Sequence, residues 1–105
     1  MTGKNIVEFE ANKSIDGTEV FEARFASHVV DELMLEFEPK HSGPPLVILT
    51  GGAGTKEIHP TPLRGRDGRF AAHFRPPETC SSLRVSMLRG VKGKLVKVKL
   101  IGHPA

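Results

Sequence analysis

Residues Thr18 to Glu38 read TEVFEARFASHVVDELMLEFE, and the fold class turns on whether this stretch is helical or extended. Phe21, Phe25, Val29, Leu33 and Phe37 recur every four residues, as on one stripe of a helix. At about 100° per residue, however, Glu22, Glu32 and Glu36 fall within the same apolar arc. Extended chain separates the charges. Phe21, Ala23 and Phe25 then face one way with Glu22 and Arg24 the other, and Leu33, Leu35 and Phe37 oppose Glu32, Glu36 and Glu38. Two strands are therefore expected here, with an α+β fold carrying a helix at about 19–38 as the alternative.

The flanking sequence fits the extended reading. Eleven Gly and eight Pro punctuate the 105 residues, at Asp16-Gly17, Pro39 to Pro45, Gly51 to Gly54, Pro60 to Gly68, Pro76-Pro77 and Gly90 to Gly93. Between these breaks lie short segments that alternate apolar with polar side chains. Eight strands are expected: Lys4 to Ala11, Thr18 to Ser27, Glu32 to Glu38, Leu46 to Thr50, Thr55 to His59, Arg69 to Arg75, Leu83 to Arg89 and Lys94 to Ile101. Regular short strands with Gly and Pro turns predict an antiparallel β-sandwich of about 7–8 strands, immunoglobulin-like or jelly-roll-like, formed as one domain over residues 1–105.

Composition excludes several classes. A single cysteine, Cys80, leaves no disulfide framework within one chain and no Cys-based zinc or iron–sulfur site. The longest apolar run, Leu46 to Leu49, is far below the ~20 residues a membrane-spanning helix needs. Met1 to Phe9 lacks the apolar stretch of a secretory signal, so a soluble, cytoplasmic protein is the default expectation.

The net charge of +3 conceals a strong asymmetry. Residues 1–60 carry five Lys or Arg against ten Asp or Glu, whereas residues 61–105 carry ten against two. Charge asymmetry between halves points either to an anionic partner or to acidic strands that pair with basic ones inside the fold.

The last third of the chain suggests where the cations go. Folding it about Gly90-Val91-Lys92-Gly93 sets Met87 opposite Val96, Val85 opposite Val98 and Leu83 opposite Leu100, with Ser86 beside Lys97 and Arg84 beside Lys99. A turn through Pro76 to Ser81 then pairs Phe74 with Leu83, Ala72 with Val85 and Phe70 with Met87. This meander predicts a basic sheet face bearing the row His73, Arg84, Lys99, flanked by Arg75 and Lys97. Like charges directly opposite each other are destabilising. The row needs an anion, either an external one or Glu8 and Glu10 if the first strand lies beside the last.

The loop Leu63 to Arg69, LRGRDGR, adds Arg64, Arg66 and Arg69 to the candidate site, because guanidinium forks and glycine-freed backbone N–H groups suit phosphate or carboxylate. Gly51-Gly52-Ala53-Gly54-Thr55-Lys56 is not a phosphate loop: the order of Lys and Thr is reversed and Glu57 to Pro62 cannot open a helix. No two of His28, His41, His59, His73 and His103 have a local ligand spacing, so no metal or other cofactor is implied. Cys80 reads as an unreactive loop thiol, and Met34 and Met87 as core side chains.

Single-strand nucleic-acid binders stack bases on aromatic rings, and this chain has no Trp or Tyr, with Phe9, Phe21, Phe25, Phe37, Phe70 and Phe74 all assigned inward. The expected function is therefore a non-enzymatic interaction module that associates through its sheet surface or edges with itself or with an acidic partner protein. An anion-binding module for nucleic acid or an acidic polysaccharide is the alternative.

Overall fold

The computed structural model describes residues 5–38, 43–52 and 54–105. Met1, Lys4, Pro39, His41 and Ala53, which enter the sequence argument above, lie outside them. Seven strands form one antiparallel sheet: β1 (Asn5–Ile15), β2 (Phe21–Phe37), β3 (Pro45–Gly51), β4 (Gly54–Ile58), β5 (Thr61–Pro62), β6 (Arg69–Met87) and β7 (Gly93–Pro104). Their order is β1-β7-β2-β6-β3-β4, with β5 on β6. No helix occurs among the described residues, and none long and apolar enough to cross a membrane is found there.

Within the segment Thr18 to Glu38, residues Phe21–Phe37 are extended, as the charge pattern requires, but they form one bent strand rather than two. Its first half, Phe21 to Arg24, pairs with Val85 to Ser82 of β6. Its second half lies between β6 and β7. The pairing of β2 with β6 slips twice: residues 25–27 stand opposite Ser81 alone, and residues 74–77 of β6 stand opposite Asp31 alone. Bulges of this kind bend and twist a strand. The sheet thereby folds over along β2 and β6 into a sandwich, with β1, β7 and the second half of β2 in one layer and β3, β4 and the first half of β2 in the other.

The same bulge explains why Pro76-Pro77 does not end a strand. Prolines lack the N–H a ladder requires, and residues 74–77 are those that the ladder with β2 leaves out. Consequently the expected strands Arg69 to Arg75 and Leu83 to Arg89 are one strand, β6, with a cis peptide at Arg75-Pro76. Cys80 lies within this strand and is buried; it is not a loop residue.

The predicted meander is corrected as well. β6 pairs with β2, β3 and β5, and β7 pairs with β1 and β2; no register joins β6 to β7. Leu83, Val85, Met87, Val98 and Leu100 do point into the core, together with Leu33, Leu35, Phe37, Val47, Leu49 and Phe70. The alternation had identified their face but not their neighbours, because a period of two is satisfied beside any strand whose apolar face matches. Val96, expected opposite Met87, is only partly buried. The register of β7 slips between Lys97 and Leu95, and Leu95 is the residue that enters the core. Met34 also leaves the expected core and lines the outer surface beside Lys97 and Lys99.

Candidate anion- and partner-binding site

In space the acidic and basic halves of the sequence alternate strand by strand. β2, rich in glutamate, separates the basic strands β7 and β6, and acidic β1 flanks β7 on its other side. Arg84 therefore faces Glu22, 2.8 Å away, and Arg69 faces Glu36 at 2.9 Å. His73 stands beside Glu32 at 3.9 Å. Lys97 reaches Glu8 at 2.9 Å, in a register that also sets Glu10 opposite Lys97 and Glu8 opposite Lys99. The contact with Lys97 holds the Glu8 carboxyl below its usual range and raises Lys97 in turn. On β7 and β4, Lys94 and Lys56 pair with Glu38 and Glu78.

The basic row His73, Arg84, Lys99 does not form. Each of these residues sits on a strand bordered by β2 or β1, whose carboxylates take the place of the lysine or arginine that the meander had set there. The first strand does lie beside the last, which is the internal neutralisation by Glu8 considered above. Of the predicted site residues, Arg69, Arg84 and Lys97 hold carboxylates within the sheet, and Arg75 is exposed at the bulge of β6.

Arg64 and Arg66 have a different setting. The amide of Arg66 donates to the carbonyl of Leu63 at 3.2 Å, and the amide of Arg69 donates to the carbonyl of Arg66 at 3.2 Å. Gly65 and Gly68, the third residue of each turn, have φ of 72° and 82°. These are two successive type II turns sharing Arg66, which accounts for the repeated Arg-Gly-Arg, Asp-Gly-Arg spacing. A bond from Leu63 N to Arg69 O at 2.8 Å closes the loop, and Phe37 N donates to Gly68 O at 2.6 Å to fasten it to β2. Both arginines are exposed and form no ion pair among the described residues.

Beside this loop opens a cleft of about 580 Å³ lined by Gly43, Pro44, Pro62, Leu63, Arg66 and Phe70, among others. Its volume is within the usual range for ligand sites. Gly43 packs against Val91, and Val91 lines a second cleft with Asp16, Arg89 and Lys92. One end of the sandwich thus collects Arg64, Arg66, Arg89 and Lys92 around two neighbouring clefts. Sequence reasoning singled out the first two and passed over Arg89 and Lys92. The available signal was their position in the Gly90–Gly93 turn region, outside any strand.

Cys80 takes no part in this surface. Burial, with a smaller contribution from the charge of Glu78, pushes its thiol up to about 11. No group of His, Cys, Asp and Glu able to hold a metal occurs among the described residues. Compared with models of protein families and with curated proteins, the chain matches none.

Proposed function

We propose that this protein is a non-enzymatic binding module that docks an acidic, partly apolar segment of a partner protein on its loop end. The observation that carries this reading is the placement of Arg64 and Arg66: they project from a hydrogen-bonded double turn beside an apolar cleft, while Arg69, Arg84 and Lys97 of the sheet are held by carboxylates. A fixed backbone reduces the ordering cost of binding, and exposed guanidinium groups pair bidentately with carboxylates.

The apolar lining, with Pro44, Pro62, Leu63 and Phe70, favours a protein segment over a nucleic acid or an acidic polysaccharide. A phosphate or sulfate backbone gains nothing from such a floor, whereas Leu or Phe side chains of a peptide remove it from water.

Short synthetic peptides that alternate Glu with Leu or Phe test the reading by fluorescence anisotropy, against heparin and single-stranded DNA as competitors. Binding is expected to weaken with salt and to fall about tenfold or more in the variant Arg64→Ser with Arg66→Ser. Both residues are exposed, so the variant's thermal unfolding should match the parent. Failure to bind any such peptide, or tighter binding of heparin or DNA through the same arginines, overturns it.

A further inference from the structure

The strands β1 and β2 leave one side of the sandwich open. Their connection is a tight turn: the Asp16 carboxylate accepts from the amides of Thr18 and Glu19 at 2.7 and 2.8 Å, and Asp16 N donates to Glu19 O at 3.0 Å. Beyond this turn the two strands separate into different layers. Among the described residues β1 pairs with β7 alone, and the first half of β2 pairs with β6 alone, since pairing of β2 with β7 begins only at His28. Two unpaired backbone edges therefore lie on the same side.

The β1 edge differs from the β4 and β5 edges. The β4 edge is five residues long, and the β5 edge is two residues long and includes Pro62. Short strands and prolines are devices that blunt an edge. On β1 the register is regular from Asn5 to Glu10 and is broken only beyond it, between Glu10 and Lys13, where Asn12 has φ of 44°. Alternate residues of this regular stretch aim their N–H and C=O groups away from β7. Between the two edges, Val7, Phe9, Ala11, Phe21, Ala23 and Phe25 pack on the core yet stay partly accessible, with the Phe9 and Phe25 rings 5.8 Å apart.

We infer that this open side is the interface with a second copy of the chain, in which β1 of each copy pairs antiparallel with the first half of β2 of the other. A two-fold axis parallel to the strands brings the edges together in this way and extends both layers across the dimer. Charge decides against the other two-fold arrangement. Pairing β1 with β1 brings the Glu8–Glu10 stretches of the two copies together. Pairing β1 with β2 sets Glu10 opposite the second copy's Arg24 in a register that also matches Phe9 with the second copy's Phe25. Both side chains are exposed; Arg24 forms no ion pair among the described residues, and Glu10 has Lys97 of its own chain as its cross-strand neighbour. The half-covered phenylalanines gain a full apolar neighbour on each side.

Sedimentation equilibrium over a wide range of protein concentration is the test. A monomer–dimer equilibrium is expected, with dimerisation about tenfold weaker or worse in Arg24→Glu and regained when Glu10→Arg is added to it. Hydrogen exchange read at low and high concentration should protect residues 8–10 and 24–26 only in the dimer. Circular dichroism verifies that each variant folds. A chain that stays monomeric, a dimer indifferent to Arg24→Glu, or protection confined to another edge overturns the interface. None of these outcomes bears on Arg64 and Arg66, so peptide binding at the loop end stands or falls separately.

Discussion

The guanidinium of Arg84 on β6 donates through both Nε and Nη2 to a single carboxylate oxygen of Glu22 on β2, at 2.9 and 2.8 Å. The two residues are 62 positions apart in the chain. Both are about half exposed, so the pair is expected to contribute no more than ~1 kcal/mol. In urea unfolding, a double-mutant cycle with Glu22→Gln and Arg84→Gln should return a coupling of that size. Glu22→Lys should cost more than Glu22→Gln, and the exchange Glu22→Arg with Arg84→Glu should restore most of the loss. Lack of recovery on exchange would falsify the strand pairing of β2 with β6.

Leu33 is fully buried at the centre of β2, between Ala72 of β6 and Leu100 of β7, whereas Leu88 is 55% exposed just beyond β6. Leu33→Ala should therefore destabilise by about 2–5 kcal/mol and Leu88→Ala by less than ~0.5 kcal/mol. The comparison is made by chemical denaturation at one temperature.

The two turn glycines should respond differently to the same change. At Gly65 a Cβ meets nothing within 4 Å, so Gly65→Ala incurs only the left-handed backbone penalty, about 1–2 kcal/mol. At Gly68 a Cβ would also overlap the carbonyl oxygen of Phe37, and the strand or the loop must shift. Gly68→Ala should lower the melting temperature further than Gly65→Ala and weaken peptide binding, because it displaces Arg66.

The raised Cys80 thiol makes an alkaline prediction. Its ordinary value is 9.0 and its folded value about 11, so above pH 9 the unfolded chain sheds this proton more readily than the folded one. The stability contribution is complete below pH 9 and is lost as pH rises toward 11. Cys80→Ala should flatten that alkaline limb. Native protein at pH 8 should resist a maleimide that labels it rapidly in urea.

Glu8 and Lys97 set the acid side. Because the folded Glu8 carboxyl is held below its ordinary value, its contribution is present above that value and disappears as pH falls through the lowered one. Lys97→Met should raise the Glu8 titration midpoint, measured by NMR, toward the ordinary carboxylate range, and Glu8→Gln should flatten the acid limb of stability.

The sequence by itself determined the class of fold and most of the side chains that turn inward, Met34 and Val96 excepted. Glu22, Glu32 and Glu36 cannot share a helical face with Phe21 and Leu33, and a period of two places Leu83, Val85, Leu100 and their like in the core whichever strand lies alongside. It also marked Arg64 and Arg66, since Gly65 and Gly68 announce turns from which the cations must project. Tertiary structure alone decided who neighbours whom. Strand alternation carries no information on partners, and it is the bulges opposite Ser81 and Asp31 that let β2 cross from one layer to the other. That crossing places a glutamate-rich strand between two basic ones. Arg69, Arg84 and Lys97 are matched with carboxylates, whereas Arg64 and Arg66 project from turns outside any strand.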